Sequence, residues 1–232
     1  MSAEWDVLAL GAVTVDDILY VARHPQPDAK APVLARRREG GGLAGTALVA
    51  AARQGAKSAY CGILGDDDLS RFALQEFERD GVDCSPVLRR DGARPIHSVV
   101  IVDQSTGQRS ILYSLEGFST PAPEELDESV VARCRVLFVD HTALPGAAHA
   151  ARVARSGGIP VVADIERGGP GIADLLPLVN HLVVGIRFAG EATGERDPAA
   201  MARALAGPDR ACAVVTAGER GCWVSERGAE AR

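Results

Sequence analysis

Apolar runs of strand length alternate with segments of helical period along most of the chain. The strand-like runs are Asp6–Val13 (DVLALGAV), Ser58–Leu64 (SAYCGIL), Arg135–Asp140 (RVLFVD), Ile159–Asp164 (IPVVAD), Asn180–Gly185 (NHLVVG) and Ala211–Gly218 (ACAVVTAG). Helical period is read over Leu43–Gln54, Asp68–Asp80, Pro123–Cys134, Pro145–Ser156 and Pro198–Leu205. Near-continuous apolar strands interleaved with helices predict an α/β fold, in which a parallel sheet is covered on both faces.

Two stretches break the alternation. His97–Leu115 (HSVVIVDQSTGQRSILYSL) is two strand-like runs around a polar turn at Asp103–Gln108, the pattern of a β-hairpin. Pro25–Glu39 (PQPDAKAPVLARRRE) has no helical period and reads as extended chain. Together they predict a small β-sheet beside the main one. Near the end, Cys212–Val224 (CAVVTAGERGCWV) reads as strand, turn and strand, followed only by Ser225–Arg232. No helix is left to cover the last strand, so the sheet is expected to stop early.

Composition narrows this picture. The chain has 232 residues, fit for one domain, and is 47% hydrophobic but only 4% aromatic, so its core rests on Val, Leu, Ile and Ala. A formal net charge of -6 argues against a nucleic-acid partner, which calls for a clustered basic face. The one basic run, Arg36–Arg38, reads as solvated surface. Five cysteines without a C-x-x-C pair fit a reducing compartment, and Cys61, Cys134 and Cys212 sit in or beside apolar runs as core residues. The start, MSAEWDVLAL, lacks the features of a signal peptide, and no apolar run approaches a membrane span. The expectation is a cytoplasmic protein with no membrane partner.

Gly40, Gly42 and Gly45 fall at the spacing G-x-G-x-x-G before an Ala-rich helix. A dinucleotide loop needs a buried strand directly before the first glycine, and ARRRE makes a poor one. A helix start packed tightly against a sheet is a second reading. A third comes from reading this stretch with LALGAVTVDDILYV, GILGDDDLSRFALQEFERDGVD and VVTAGERGCWV. In that order they resemble the PfkB family of ribokinase-like carbohydrate kinases, over Val7 to about Trp223. The Gly-Gly-Gly start and Thr46, where other members more often carry Asn, look closest to the sulfofructose kinase branch.

That resemblance implies a three-layer α/β/α fold with a mostly parallel central sheet and a small β-sheet lid. It implies a single domain over 1–232, apparently truncated at its C-terminal end, with lid segments at about 17–39 and 96–115. The implied activity is transfer of the γ-phosphate of ATP, with Mg2+, to a hydroxyl of a ketose or related sugar. Asp16, placed just beyond the first strand, is the implied sugar ligand, since a carboxylate accepts two strong hydrogen bonds from vicinal hydroxyls. Its alternative is an ordinary strand end or turn cap, and Asp17 is expected to face solvent. Gly41 and Gly42 match the family's sugar-site glycines, and Thr46 follows one turn later. Lys30, in the lid, reads either as a reach toward an anionic substrate group or as a plain surface lysine. Thr216, Gly218 and Gly221 align with the nucleotide-side turn, or form an ordinary hairpin turn. The lid would exclude water from phosphoryl transfer and often forms a homodimer contact in the family.

Two departures stand out. Gly185 and Phe188 occupy the positions of the family's Asn-x-x-Glu motif, which puts magnesium coordination there in doubt. No Gly-Ala-Gly-Asp segment occurs in residues 1–232, so the catalytic base and anion hole are expected beyond Arg232 and this chain alone is expected to be nearly inert. A nucleoside kinase of the same fold and a non-catalytic sugar-binding relative remain as alternatives, and a nicotinamide oxidoreductase is a third class.

Overall fold

The structure, a computed structural model, describes residues 3–208 and 210–231. The first half runs β1 (Trp5–Leu10), β2 (Thr14–Val21), β3 (Ala35–Gly41), α1 (Leu43–Arg53), β4 (Ser58–Tyr60), β5 (Ile63–Leu64), α2 (Asp68–Arg79), β6 (Leu88–Arg89), β7 (Ile96–Asp103) and β8 (Arg109–Ser114). The second runs α3 (Glu128–Val131), β9 (Cys134–Asp140), α4 (Gly146–Ser156), β10 (Val161–Ile165), α5 (Ile172–Leu175), β11 (His181–Gly185), α6 (Ile186–Thr193), α7 (Pro198–Ala206), β12 (Cys212–Thr216) and β13 (Cys222–Glu226).

Seven strands form the main sheet in the order β13-β12-β11-β10-β9-β1-β4, parallel except for β13. Alternate residues of β1 enter two cores. Leu8 and Leu10 pack with α3 and α4, whereas Ala9 packs with Leu48 of α1 and Phe77 of α2. Two-sided burial explains why the strands read as continuous apolar runs rather than as alternating ones. Cover on the α1 side is partial at the far end, where Val162, Val183 and Val214 are half-buried.

β1 adjoins β4 on one side and β9 on the other, and β10, β11 and β12 then add outward from β9. The order of winding therefore reverses between β1 and β9. In open α/β sheets that reversal leaves a crevice at the C-terminal strand ends, where ligands bind. The small sheet, β3-β2-β7-β8, stands next to this edge and leaves the main sheet through Gly11–Val13. Its β7–β8 hairpin is the one the alternation predicts. Asp103 closes that turn, accepting from the amides of Ser105 (2.8 Å) and Thr106 (3.2 Å).

The structure corrects three readings. Pro123–Cys134 is not one helix: a 3-10 turn at Pro123–Glu125 and the single turn of α3 precede β9, because Leu126 is extended and Asp127 caps a fresh start. Ile186–Thr193, to which the alternation assigned no element, is a helix without a side-chain N-cap, closed by Gly194 in the left-handed region. Asp16 and Asp17 do not follow a strand but lie within β2, eight residues long.

Candidate active site

Register places each side chain. Thr14 pairs with Gly41 across β2 and β3, and Asp16 with Glu39, so Thr14, Asp16 and Gly41 share one face of the small sheet. A methyl group on Gly41 would stand 2.6 Å from both Asp16 Oδ2 and Thr14 Oγ1. The two oxygens thus lie within about 5 Å of each other, over a glycine that leaves the space between them clear. Thr14 Oγ1 is buried and has no hydrogen-bond partner. An orphaned buried hydroxyl costs about 1–3 kcal/mol, so a partner from outside the protein, water or a ligand hydroxyl, is the physical expectation. No sequence signal marked Thr14, a polar residue two places before the carboxylate in an otherwise ordinary strand.

Gly42 joins the small sheet to α1. It takes φ 88°, and a Cβ there would collide with the carbonyl of Ala12, so only glycine fits. It caps α1 without a side chain, and the first-turn N–H of Gly45 donates to the Ala12 carbonyl instead. Thr46 is exposed on the first turn of α1 and lines, with Gly40 and Gly41, a cleft of about 700 Å³ between β3, α1 and α2. The cleft's other walls include Glu76 and Phe77; Asp16 lies on the opposite face of β3.

Asp17 is the clearest correction. It is not solvent-facing but 8% exposed, bound by Arg38 Nη2 (2.7 Å), Arg38 Nε (3.0 Å), Arg36 Nη2 (3.2 Å) and His97 Nε2 (2.9 Å). The Arg38 guanidinium holds its carboxyl well below the usual range, and also stacks over Phe72 of α2 at 5.9 Å. The basic run is therefore half of an ion-pair cluster, and only its outer part is solvated surface. Lys30 lies exposed in the loop joining β2 to β3, at the end of those strands opposite Thr14. The five residue steps from Asp16 to Val21 span about 17 Å.

Further along the same edge stand residues that the pattern of the chain did not single out. Asp140 ends β9, is fully buried, and pairs in register with Asp164 of β10. Burial pushes the Asp140 carboxyl up, and pushes Asp164 up to about 6, with Glu166 and Asp140 adding to it. His141 beside them is pushed down by burial. The available signal was the acidic residue closing each apolar run, VLFVD and VVAD. The cysteines play no such part: burial raises Cys61 to about 12 and Cys134 to about 11, so neither is a thiolate nucleophile.

Thr216 ends β12 opposite Gly185 of β11, and its hydroxyl donates to the carbonyl of Val184 at 3.2 Å. Gly218 (φ 57°) and Gly221 (φ 82°) make the turn into β13, with nothing within 4 Å of where their Cβ atoms would stand. This open turn lies four strand spacings from β1, about 19 Å along the edge. Magnesium is another matter. Gly185 offers no side chain, Phe188 is buried, and among the described residues no group of three or more acidic, His or Cys side chains could hold a metal ion.

Solved structures with this fold are ribokinase-like. A candidate ribokinase from Agrobacterium tumefaciens superposes with a TM-score of 0.87 at 26% identity, covering 98% of this chain and 75% of its own. Ribokinase of Arabidopsis thaliana, solved with ribose and ATP, gives 0.77 at 18% identity, covering 100% and 77%. The chain thus has the ribokinase-like α/β fold. It belongs to the pfkB family of carbohydrate kinases, whose profile matches residues 5–232. Among curated relatives, it is 31% identical over 166 residues to the ATP-dependent ribose-1-phosphate kinase of Halopiger xanaduensis, covering 69% of this chain and 54% of the relative. It is 30% identical over 109 residues to ketohexokinase of Mus musculus, covering 47% and 37%. The chain spans about half the length, or less, of these curated relatives.

Proposed function

We propose that this chain carries the sugar-binding part, and one wall of the nucleotide site, of an ATP-dependent carbohydrate kinase. The observation that carries the reading is the orphaned Thr14 hydroxyl beside the Asp16 carboxylate, over the space that Gly41 leaves open. A carboxylate that accepts and a hydroxyl that donates or accepts are matched to adjacent hydroxyls of a sugar. The N-terminal end of α1 at Gly42 bounds the site from the helix side, whereas Thr46 faces the cleft on the other side of β3, and Lys30 is carried by the loop at the far end of β2 and β3. The small sheet closes over the edge and excludes water. Thr216, Gly218 and Gly221 hold the nucleotide at the other end.

ATP supplies the γ-phosphoryl group when bound; the residues named here bind and orient its acceptor. No step is assigned to magnesium through residues 185–188, which have no metal donor. The base that deprotonates the acceptor hydroxyl is not among the groups described here. The polypeptide of 232 residues is therefore expected to bind sugar without phosphorylating it at an ordinary enzyme rate. The same carboxylate can grip the ribose of a nucleoside, and Sinorhizobium meliloti adenosine kinase has the same fold at 21% identity, so adenosine belongs in the ligand panel.

Calorimetric titration of D-ribose, D-fructose, ribose 1-phosphate and adenosine tests the reading. Asp16→Asn and Gly41→Ala are each expected to weaken the preferred ligand at least tenfold, and Thr14→Val by less. Unchanged affinity in Asp16→Asn would remove that carboxylate from the site.

A further inference from the structure

We propose that Asp140 is a positioning residue: it fixes the junction from which Thr14 and Asp16 project, and does not itself touch the sugar. The proposal rests on the reading of the sugar site just given.

Two consecutive peptides carry the argument. The N–H of Ala12 donates to Asp140 Oδ2 at 2.7 Å. The carbonyl of Ala12 accepts from the N–H of Gly45 in α1 at 3.2 Å. The carbonyl of Gly11 accepts from the hydroxyl of Tyr60 in β4 at 3.2 Å. Groups from β9, α1 and β4 therefore converge on Gly11–Ala12, the point where the chain leaves the main sheet for β2. Packing tightens the same spot: a Cβ on Gly11 would overlap Asp140 Oδ2, and one on Gly42 would overlap the Ala12 carbonyl. Such a junction has one arrangement rather than a range of them.

The carboxylate is also saturated. Its other oxygen accepts from the amide of Thr142 at 2.8 Å and from the Thr142 hydroxyl. Asp140 is fully buried. All three bonds run into the protein. The groups that face it are the Tyr60 phenol, His141, and the Asp164 carboxylate with Glu166 beyond. None is a cation held against it, so the carboxylate is held by neutral donors despite a burial that disfavours its charge. That cost is accepted because three donors converge there, and a carboxylate accepts from all of them where the amide of Asn would turn an N–H₂ group toward one. Thr14 lies two residues from Ala12 and Asp16 four, so a shift of the junction moves both sugar-facing oxygens.

The test is Asp140→Asn, which keeps the shape but turns an N–H₂ group toward an N–H donor, read by amide hydrogen exchange and by calorimetric titration with D-ribose. Exchange at Ala12 and Gly45 is expected to rise at least tenfold, while Val162, Val184 and Val215 in the far strands stay protected. Ribose affinity is expected to fall at least tenfold. Uniformly faster exchange would mean a merely structural role and overturn the proposal. Lost affinity with unchanged exchange at Ala12 would make Asp140 a direct ligand and overturn it too, as would faster exchange at Ala12 with unchanged affinity. Should Asp140→Asn not fold, Thr142→Val, which removes one bond, is expected to show the same local pattern at about threefold. If the wild-type chain binds neither D-ribose nor any other ligand of the panel, the sugar-site reading fails, whereas the exchange pattern still decides whether Asp140 holds the junction.

Discussion

Asp164 carries a burial cost with no hydrogen bond to offset it. Its carboxyl, pushed up to about 6 chiefly by burial, keeps a proton in the folded chain where the unfolded chain has already released it. Stability therefore falls as pH rises from about 4 to about 6, and is level above that. Asp164→Asn removes the charge. Its advantage in urea unfolding is expected to be near zero at pH 4 and to grow to about 1 kcal/mol by pH 7, a value reduced for partial exposure. An equal advantage at every pH would show that desolvation of the charge is not what Asp164 pays for. Thr14 makes the complementary case, a neutral group whose missing partner points to a ligand rather than to strain. Both are decisions of a few kcal/mol at single atoms, and both lie on the edge where the strands end.

The small sheet keeps its place through the Asp17 cluster. Asp17 draws on Arg36 and Arg38 of β3 and His97 of β7, and Arg38 passes the contact on to Phe72 of α2. The neighbouring carboxylate Asp16 points to the opposite face, because successive residues of a strand alternate. Two adjacent aspartates thus have different surroundings, one tying β2 to β3 and β7 and one lining the proposed sugar site. Asp17→Ala is expected to destabilise the chain by about 1 kcal/mol, since it removes the charge-assisted hydrogen bonds from Arg36, Arg38 and His97 while leaving both exposed guanidinium groups free to be solvated. Because the Asp17 carboxyl is held below its ordinary value, its contribution is present above about pH 4 and is lost as pH falls further. Thermal unfolding at pH 7 and pH 3 checks this; an effect of equal size at both would exclude the ion pairs as its source.

At the scale of the molecule, the outer edge of the small sheet is apolar. Ile111, Leu112, Tyr113 and Leu115 are 52–58% exposed, and Val33 and Leu34 in the β2–β3 loop are 50–53% exposed. A long apolar edge strand left open is a template for pairing with another chain. We therefore propose that the lid forms a homodimer contact. Light scattering on a sizing column is expected to give a dimer that Leu112→Glu converts to a monomer; a monomeric wild type at micromolar concentration would dismiss the contact. The main sheet also sets the distance between the two ends of the site. Five parallel strands of common direction put Gly11, Asp140, Asp164, Gly185 and Thr216 along one edge, so the proposed acceptor and nucleotide sites belong to different strands of one layer.

The α/β class, the strands of the main sheet, the β7–β8 hairpin and the family were all legible in the chain. Each rests on local information: apolar period, turn chemistry, or an ordered set of short motifs such as GGGLAGT and TAGERG. Asp16, Gly41 and Gly42 were legible as candidates for the same reason. What tertiary structure decided was pairing. Asp16 and Asp17 are indistinguishable by composition, and only the register of β2 against β3 and β7 assigns one to the site and buries the other among Arg36, Arg38 and His97. Thr14 became a candidate only when Gly41 was placed opposite it, and Asp140 only when β9 was laid beside β1, 128 residues away from Ala12 in the chain. Periodicity records which face of an element is apolar. It carries no record of which distant element that face will meet, and the chemistry of this site is made at those meetings.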